Sequence, residues 1–423
     1  MRCITLDWIL NELKNGRSYI TAFITWLLFA FSIGIICGLC GTFFYESITF
    51  VTGLRIKYNY LLLFLPAAGL LIILLYHACK VQHDKGTNLV LDSIQAHEQI
   101  PGNMAPLIYA GTVITHMFGG SAGREGAAIQ MGGCIGVYIG KHFKMTEKDI
   151  NILTMCGMSA VFSAMFGTPL TATIFSMEVI SIGMFQYSAF VPCIIASTTS
   201  YAIAGKFHVY GEKFIINSIP SISLTVCAKI ILFAILSGIV AIAFCQAMHS
   251  AHKIYAHFIK NQYIRIFVGG CLVLGSTIII GNQYFCGAGF NIIEDAFSHN
   301  VNWWTFIVKI LLTALTLGCG YKGGEIVPAL CVGAAFGSII SAPFGIDVTF
   351  STALGMVCMF CGVVNCPIAS ILLAIEMFGR HDIILFCIAI GVSYVFSGSF
   401  GLYKSQRILY SKLHAEFINI HSH

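Results

Sequence analysis

The chain has 423 residues, of which 57% are hydrophobic and only 10% charged, with a mean hydropathy of +0.84. Soluble domains carry about 25% charged residues, so this composition excludes an ordinary soluble globular protein. The net charge of +5 needs no nucleic acid to explain it, because basic loops facing anionic lipid account for it.

Residues 1–20, MRCITLDWILNELKNGRSYI, mix charged and apolar residues and lack the n-region, h-region and cleavage site of a secretory signal. They predict a short amphipathic helix on the cytoplasmic membrane surface, leading into the first span. Positions 22–45, 99–123, 151–177, 179–205, 326–346, 348–375 and 383–403 contain no Asp, Glu, Lys or Arg. Each run is long enough, at about 1.5 Å per helical residue, to cross a hydrocarbon core of about 30 Å. Several such runs predict an all-α polytopic membrane protein, since backbone in lipid must satisfy its own hydrogen bonds. Arg2, Lys14 and Arg17 precede the first run, and Lys404, Arg407 and Lys412 follow the last. That basic bias predicts that both termini face the cytoplasm.

The seventeen cysteines are scattered through apolar runs, among them Cys37, Cys134, Cys245, Cys358 and Cys361. Cys358 and Cys361 have C-x-x-C spacing but no histidine neighbour and no second pair. They read as small packing residues rather than metal ligands. No nucleophile–base set appears either, so the expectation is a non-enzyme without cofactor or metal.

The chain repeats itself. GMSAVFSAMFGTPLTATIFSME (157–178) lies over GMVCMFCGVVNCPIASILLAIE (355–376) at an offset of 198, which pairs Pro169 with Pro367 and Glu178 with Glu376. At an offset of 201, GREGAAIQMGGCIG (123–136) lies over GGEIVPALCVGAAFG (323–337), pairing Gly132 and Gly136 with Gly333 and Gly337. Two halves with the same order of motifs predict a duplicated membrane unit, about 21–210 and 215–420. In inverted-repeat transporters the substrate site lies near the midplane, where short or broken helices point their ends at the ion. GGSAG precedes a short uncharged helix at 126–140, and KGG precedes another at about 325–342. Pro169 and Pro367 each suit the first turn of a following helix. Glu178 and Glu376, at ends of spans, read as structural.

The GREG stretch carries the chemistry. A helix N-terminus offers unpaired N–H groups and partial positive charge to an anion, and Gly119, Gly120, Gly123 and Gly126 let backbone approach closely. Glu125 is therefore a tethered anion competing with a free one. Ionised, it occupies the anion site; protonated, it swings away and admits the ion, and burial disfavours its charged form. The competing reading is an interhelical ion pair of Arg124 and Glu125, but intramembrane charges are expensive and default to function. Glu325 in the second motif is either a proton relay or a cap on its own helix, where acidic residues are favoured.

GREG opening a helix, the duplicated halves, the G-x-x-P element, LPAAGL at 65–70 and a terminal helix beginning with a tyrosine resemble the CLC chloride channel and transporter family. The resemblance spans about residues 20–415. It implies a homodimer in lipid, with one ion pathway per subunit and an inverted repeat of membrane helices. It also implies that Glu125 is the external gating glutamate, and that Tyr403 in SGSFGLY coordinates the central anion. Backbone amides around Gly126, Ala127, Ile326 and Val327 line the site. The family's CBS domains have no counterpart here.

The departures narrow the resemblance. Where chloride-selective members have a serine in GSGIP, this chain reads KGTNLVLD, with Thr87 in the serine's place. GREGP becomes GREGA, GIFAP becomes GEIVP with Glu325, and the internal proton glutamate of the chloride antiporters falls at Val179. These changes resemble the fluoride/proton antiporter subgroup. The function so implied is export of cytoplasmic fluoride in exchange for protons, without nucleic acid or a resident cofactor. The rival within the same fold is a chloride/proton antiporter or passive chloride channel. A rival of another class is a membrane scaffold with a degenerate pore, against which the intact GREG motif and Tyr403 argue.

Overall fold

The computed structural model describes residues 6–81, 84–96, 98–379 and 383–423. Eight helices of a first half are followed by eight of a second. The first set is α1 (Leu6–Lys57), α2 (Leu65–Ala78), α3 (Thr87–Ala96), α4 (Met104–Met117), α5 (Glu125–His142), α6 (Glu147–Phe166), α7 (Pro169–Glu178) and α8 (Phe190–Lys206). The second set is α9 (Leu224–Phe258), α10 (Gln262–Ile280), α11 (Phe290–Phe297), α12 (Thr305–Cys319), α13 (Ile326–Phe344), α14 (Val348–Val364), α15 (Pro367–Phe378) and α16 (Ile383–Phe396). Each helix has a counterpart at the same place in the other set.

Seven segments among the described residues are long and apolar enough to cross a bilayer. The most apolar windows of Ile20–Lys57, Asn59–Ala78, Leu224–Phe258 and Gln262–Ile280 are only 28–33% buried, whereas those of Glu147–Phe166 and Ile326–Phe344 are 83% and 78% buried. Hydrophobic side chains facing outward are what lipid requires, so α1, α2, α9 and α10 present lipid-facing surfaces while α6 and α13 lie in the interior. The N-terminal segment continues into the first span without a break, since α1 is one helix from Leu6.

Two of the uncharged runs are not single spans. The run 151–177 contains both α6 and α7, separated where Gly167 adopts φ 68° before Pro169. In 348–375, Asn365 at φ 56° and Pro367 divide α14 from α15 in the same way. A left-handed C-cap followed by a proline ends a helix however apolar its neighbours are. Lack of charge reports burial there, not continuity.

The halves pack by matched glycines. A Cβ on Gly132 would lie 2.2 Å from Gly157 O, and one on Gly333 would lie 2.4 Å from Gly355 O. Only glycine permits α5 to press on α6, and α13 on α14, this closely. The two carboxylates at helix ends are also symmetric. Glu178 at the end of α7 accepts from Ile368 N (3.1 Å) and Ala369 N (2.8 Å) at the start of α15. Glu376 in α15 accepts from Leu170 N (2.9 Å) and Thr171 N (2.8 Å) at the start of α7. Each half thus caps a buried helix of the other, which confirms the structural reading of both residues.

One expectation fails at the C-terminus. Tyr403 does not begin a helix; it enters a turn followed by β2 (Arg407–Tyr410) and β3 (Phe417–His421), an antiparallel pair. β2 also pairs in parallel with the short β1 (Ser181–Ile182), which lies between α7 and α8. The segment RILY has strand-forming residues and ends at a Ser-Lys turn, and a free partner strand in the 181–182 loop captures it.

Removal of either cap is expected to cost about 1–2 kcal/mol. Glu376→Ala and Glu178→Ala should lower the unfolding midpoint in detergent by similar amounts. A loss confined to one of them would contradict the symmetric role.

Candidate anion site

α5 and α13 meet end to end at their N-termini. Gly123 N donates to Gly324 O (2.7 Å) and Gly324 N to Gly123 O (2.8 Å), a two-bond antiparallel bridge between the halves. The N-cap residues, Arg124 and Glu325, make no side-chain capping bond. Ala127, Ile326 and Val327 in the first turns are 2%, 0% and 0% exposed. A buried helix start normally has its orphan N–H groups satisfied. Two such starts, without side-chain caps and facing each other, aim partial positive charge at the same place, an arrangement suited to an anion.

Glu125 is the first residue of α5 and is 1% exposed. Its Oε2 accepts from Arg124 N (3.0 Å) and its Oε1 from Arg124 Nε (3.2 Å). The carboxylate is therefore folded back onto the peptide before its own helix. The Arg124 guanidinium carbon lies 4.2 Å from the Tyr45 ring centroid and 4.9 Å from that of Phe290. Two aromatic faces from opposite halves hold the cation in place. The Arg124–Glu125 ion pair is thus real, and it joins adjacent residues rather than two helices.

The remaining expected residues converge beside this bridge. Thr87, first residue of α3, donates through Oγ1 to Gly126 O at 3.2 Å. A Cβ built on Gly126 would lie 3.4 Å from Glu325 Oε2 and 3.5 Å from Thr87 Oγ1, so both side chains crowd one face of that glycine. Tyr403 is 2% exposed, and its hydroxyl lies toward Thr87 and Glu325 but makes no good hydrogen bond to either. A buried, unsatisfied hydroxyl is a donor awaiting an acceptor. Glu325 does not cap α13, which leaves the capping reading without its hydrogen bond. Gly126, Ala127, Ile326 and Val327 occupy the first turns, as expected.

Glu325 also lines a cavity of about 990 Å³ that reaches Asn88, Leu402 and Ser405, the neighbours of Thr87 and Tyr403. The cavity wall carries residues that sequence reasoning missed. Lys322 Nζ pairs with Asp84 Oδ2 at 2.9 Å and stacks on Tyr76 at 4.5 Å. Asp84 also accepts from Gln130 Nε2 (2.7 Å) and Gly86 N (2.9 Å), which fixes the turn just before Thr87. Lys322 opens the KGG stretch before α13, which was the available signal; Asp84 had none. Lys309 was missed as well. It is fully buried in α12, and its ammonium binds Ser121 Oγ (3.1 Å), Phe285 O (3.2 Å) and Gly287 O (2.7 Å), bracing the loop before Gly123.

The two halves of this mostly helical membrane protein thus meet at a pair of facing helix starts, a geometry suited to a small anion. Residues 68–398 match the family model for voltage gated chloride channels. The "Chloride/fluoride channel protein" of Pseudomonas syringae pv. tomato is 32% identical over 92% of this chain and 88% of its own. The "H(+)/Cl(-) exchange transporter ClcA" of Vibrio cholerae is 25% identical, over 85% of this chain and 83% of its own. Among solved structures, a CLC-type fluoride/proton antiporter superposes with a TM-score of 0.88 at 29% identity, covering 91% of this chain and 98% of that one. The chain belongs to the CLC family of chloride channels and transporters.

The bridge predicts its own weak point. A Cβ on Gly324 would lie 2.4 Å from Gly126 N and 3.3 Å from Glu125 N, so Gly324→Ala should push α5 from α13. Halide binding measured by calorimetry should fall by at least about tenfold, the scale of one lost charge-assisted hydrogen bond. Unchanged affinity would mean that the facing helix starts do not form the site.

Proposed function

We propose that this protein is a fluoride/proton antiporter that exports cytoplasmic fluoride using the inward proton gradient. One observation carries the reading: two uncapped, buried helix starts face each other with two carboxylates, Glu125 and Glu325, at their mouths. Facing positive dipole ends require negative charge between them. That charge comes either from the anion or from a carboxylate, and a carboxylate that takes up a proton releases its place.

In this mechanism Glu125 is the gating and proton-coupling group. Its present bonds to Arg124 N and Nε are charge-assisted and weaken when the carboxyl is protonated. The side chain is then free to leave, and the anion takes the amides of Gly126, Ala127, Ile326 and Val327. Tyr403 supplies an unengaged hydroxyl donor, and Thr87 supplies a second by releasing its bond to Gly126 O. Glu325, at the cavity wall beside Thr87, receives the proton and passes it to the cytoplasm. Fluoride is small and strongly hydrated, so closely spaced N–H and O–H donors must replace its water. Several donors around Gly126, together with the likeness to the fluoride/proton antiporter structure and to the chloride/fluoride channel protein, favour fluoride over chloride. The likeness to the proton/chloride exchanger supports chloride as the alternative substrate. A homodimer in the bacterial cell membrane with both termini cytoplasmic completes the reading.

Glu125→Gln keeps the shape of the side chain but not its titration. In proteoliposomes loaded with fluoride, this variant should show no uphill proton uptake during fluoride efflux. Coupled proton movement at the wild-type ratio would refute the role given to Glu125.

A further inference from the structure

Tyr403 has no helix to hold it, yet the turn around it is pinned on every side. Leu402 N donates to Val363 O (2.8 Å), Ser405 N to Asn88 Oδ1 (3.0 Å), and Gln406 N to Tyr403 O (3.0 Å). His249 Nε2 lies 3.2 Å from Leu402 O. The deepest pin is Gln406, which is fully buried. Its Nε2 donates to Val179 O (3.0 Å), just past α7, and to Val364 O (2.9 Å), at the end of α14. One amide thereby ties both halves together three residues from Tyr403.

Gln406 is itself aimed by the C-terminal hairpin. Its Oε1 accepts from Asn365 Nδ2 (3.2 Å), which also donates to Phe400 O (2.9 Å). Asn365 Oδ1 in turn accepts from Lys412 Nζ at 2.5 Å. Lys412 sits in the turn between β2 and β3; it donates further to Tyr394 O and Ser397 Oγ, both at 2.9 Å, and lies 4.2 Å from the Tyr394 ring centroid. The orientations are forced. Lys412 can only donate, so it fixes the carbonyl side of Asn365; the Asn365 amide nitrogen then faces the Gln406 carbonyl, and the Gln406 amide nitrogen faces the two backbone carbonyls. A buried network satisfied in one orientation specifies geometry more than it adds stability.

We propose that Gln406 is the positioning residue of Tyr403, and that the β2–β3 hairpin sets it through Lys412 and Asn365. The strands after Tyr403 are then part of the anion site's support, doing through hydrogen bonds what a continuing helix would do through its backbone. The inference rests on the reading of Tyr403 as an anion ligand. Val179, where chloride exchangers of this family would carry an acidic residue, here contributes only the carbonyl that anchors Gln406.

The test uses the full-length protein with Gln406→Ala, Lys412→Met and Tyr403→Ala, singly and combined. Hydrogen–deuterium exchange of residues 400–408 should accelerate in Gln406→Ala and Lys412→Met by about tenfold, while the first turn of α13 is unchanged. In proteoliposomes the number of protons moved per fluoride should fall in both, and neither should lower it further in the Tyr403→Ala background. Lys412 is half-buried in a turn, so its variant tests the proposal even where Gln406→Ala fails to fold. Unchanged exchange at 400–408, or an equal loss of coupling with and without Tyr403, would overturn it. Faster local exchange in a protein whose wild type couples no fluoride to protons would refute the transport reading and leave the positioning role standing.

Discussion

The structure depends on two backbone hydrogen bonds between Gly123 and Gly324. They hold two helix starts face to face, with the positive ends of both dipoles pointing at each other. Such an arrangement repels itself unless negative charge lies between the ends. The fold thereby creates a demand for an anion, and Glu125 and Glu325 are the tethered candidates to meet it when no free anion does. Ile326 and Val327 at the start of α13 are fully buried, while Ala127 and Glu325 border the cavity.

The scaffold around the bridge is symmetric, but the chemistry on it is not. Glu178 and Glu376 cap each other's helices across the pseudo-two-fold axis, and the glycine contacts of α5 with α6 recur between α13 and α14. At the bridge the symmetry breaks. The position of Arg124 is taken in the second half by Glu325, and that of Glu125 by Ile326. A symmetric frame supplies two equivalent helix starts, and the side chains at their mouths are unequal. In the mechanism proposed above, one carboxylate on each side, at non-equivalent positions, is the asymmetry by which a proton would enter from one face and leave from the other.

Much of this was legible in the sequence, and for identifiable reasons. Gly123, Glu125 and the repeat offset located α5 and α13 and their meeting, because glycine–charge–glycine at a helix mouth has few other uses in a membrane. Pro169 and Pro367 marked the starts of α7 and α15. Other features had no local signal. The uncharged runs hid the breaks at Gly167 and Asn365, since hydropathy does not record where a chain turns. Tyr403 was found as a motif, but the strands after it were not. Arg407–Tyr410 becomes a strand only because Ser181–Ile182, more than two hundred residues away, offers a partner. Lys309, Asp84 and Arg55 carry no signal in the sequence. Their burial is a tertiary fact: Arg55, for example, reaches His116 O at 2.8 Å and Gln283 Oε1 at 3.1 Å.

The central claim is that the facing helix starts bind a small anion and tie its movement to a proton. Simultaneous fluoride- and pH-electrode recording from proteoliposomes, with a fluoride gradient and no pH gradient at the start, tests it most directly. The account predicts that fluoride leaving the vesicles drives protons inward against the gradient that builds up, and that an equal chloride gradient drives far fewer. Fluoride flux without proton movement, or chloride moving protons as readily as fluoride, would contradict it.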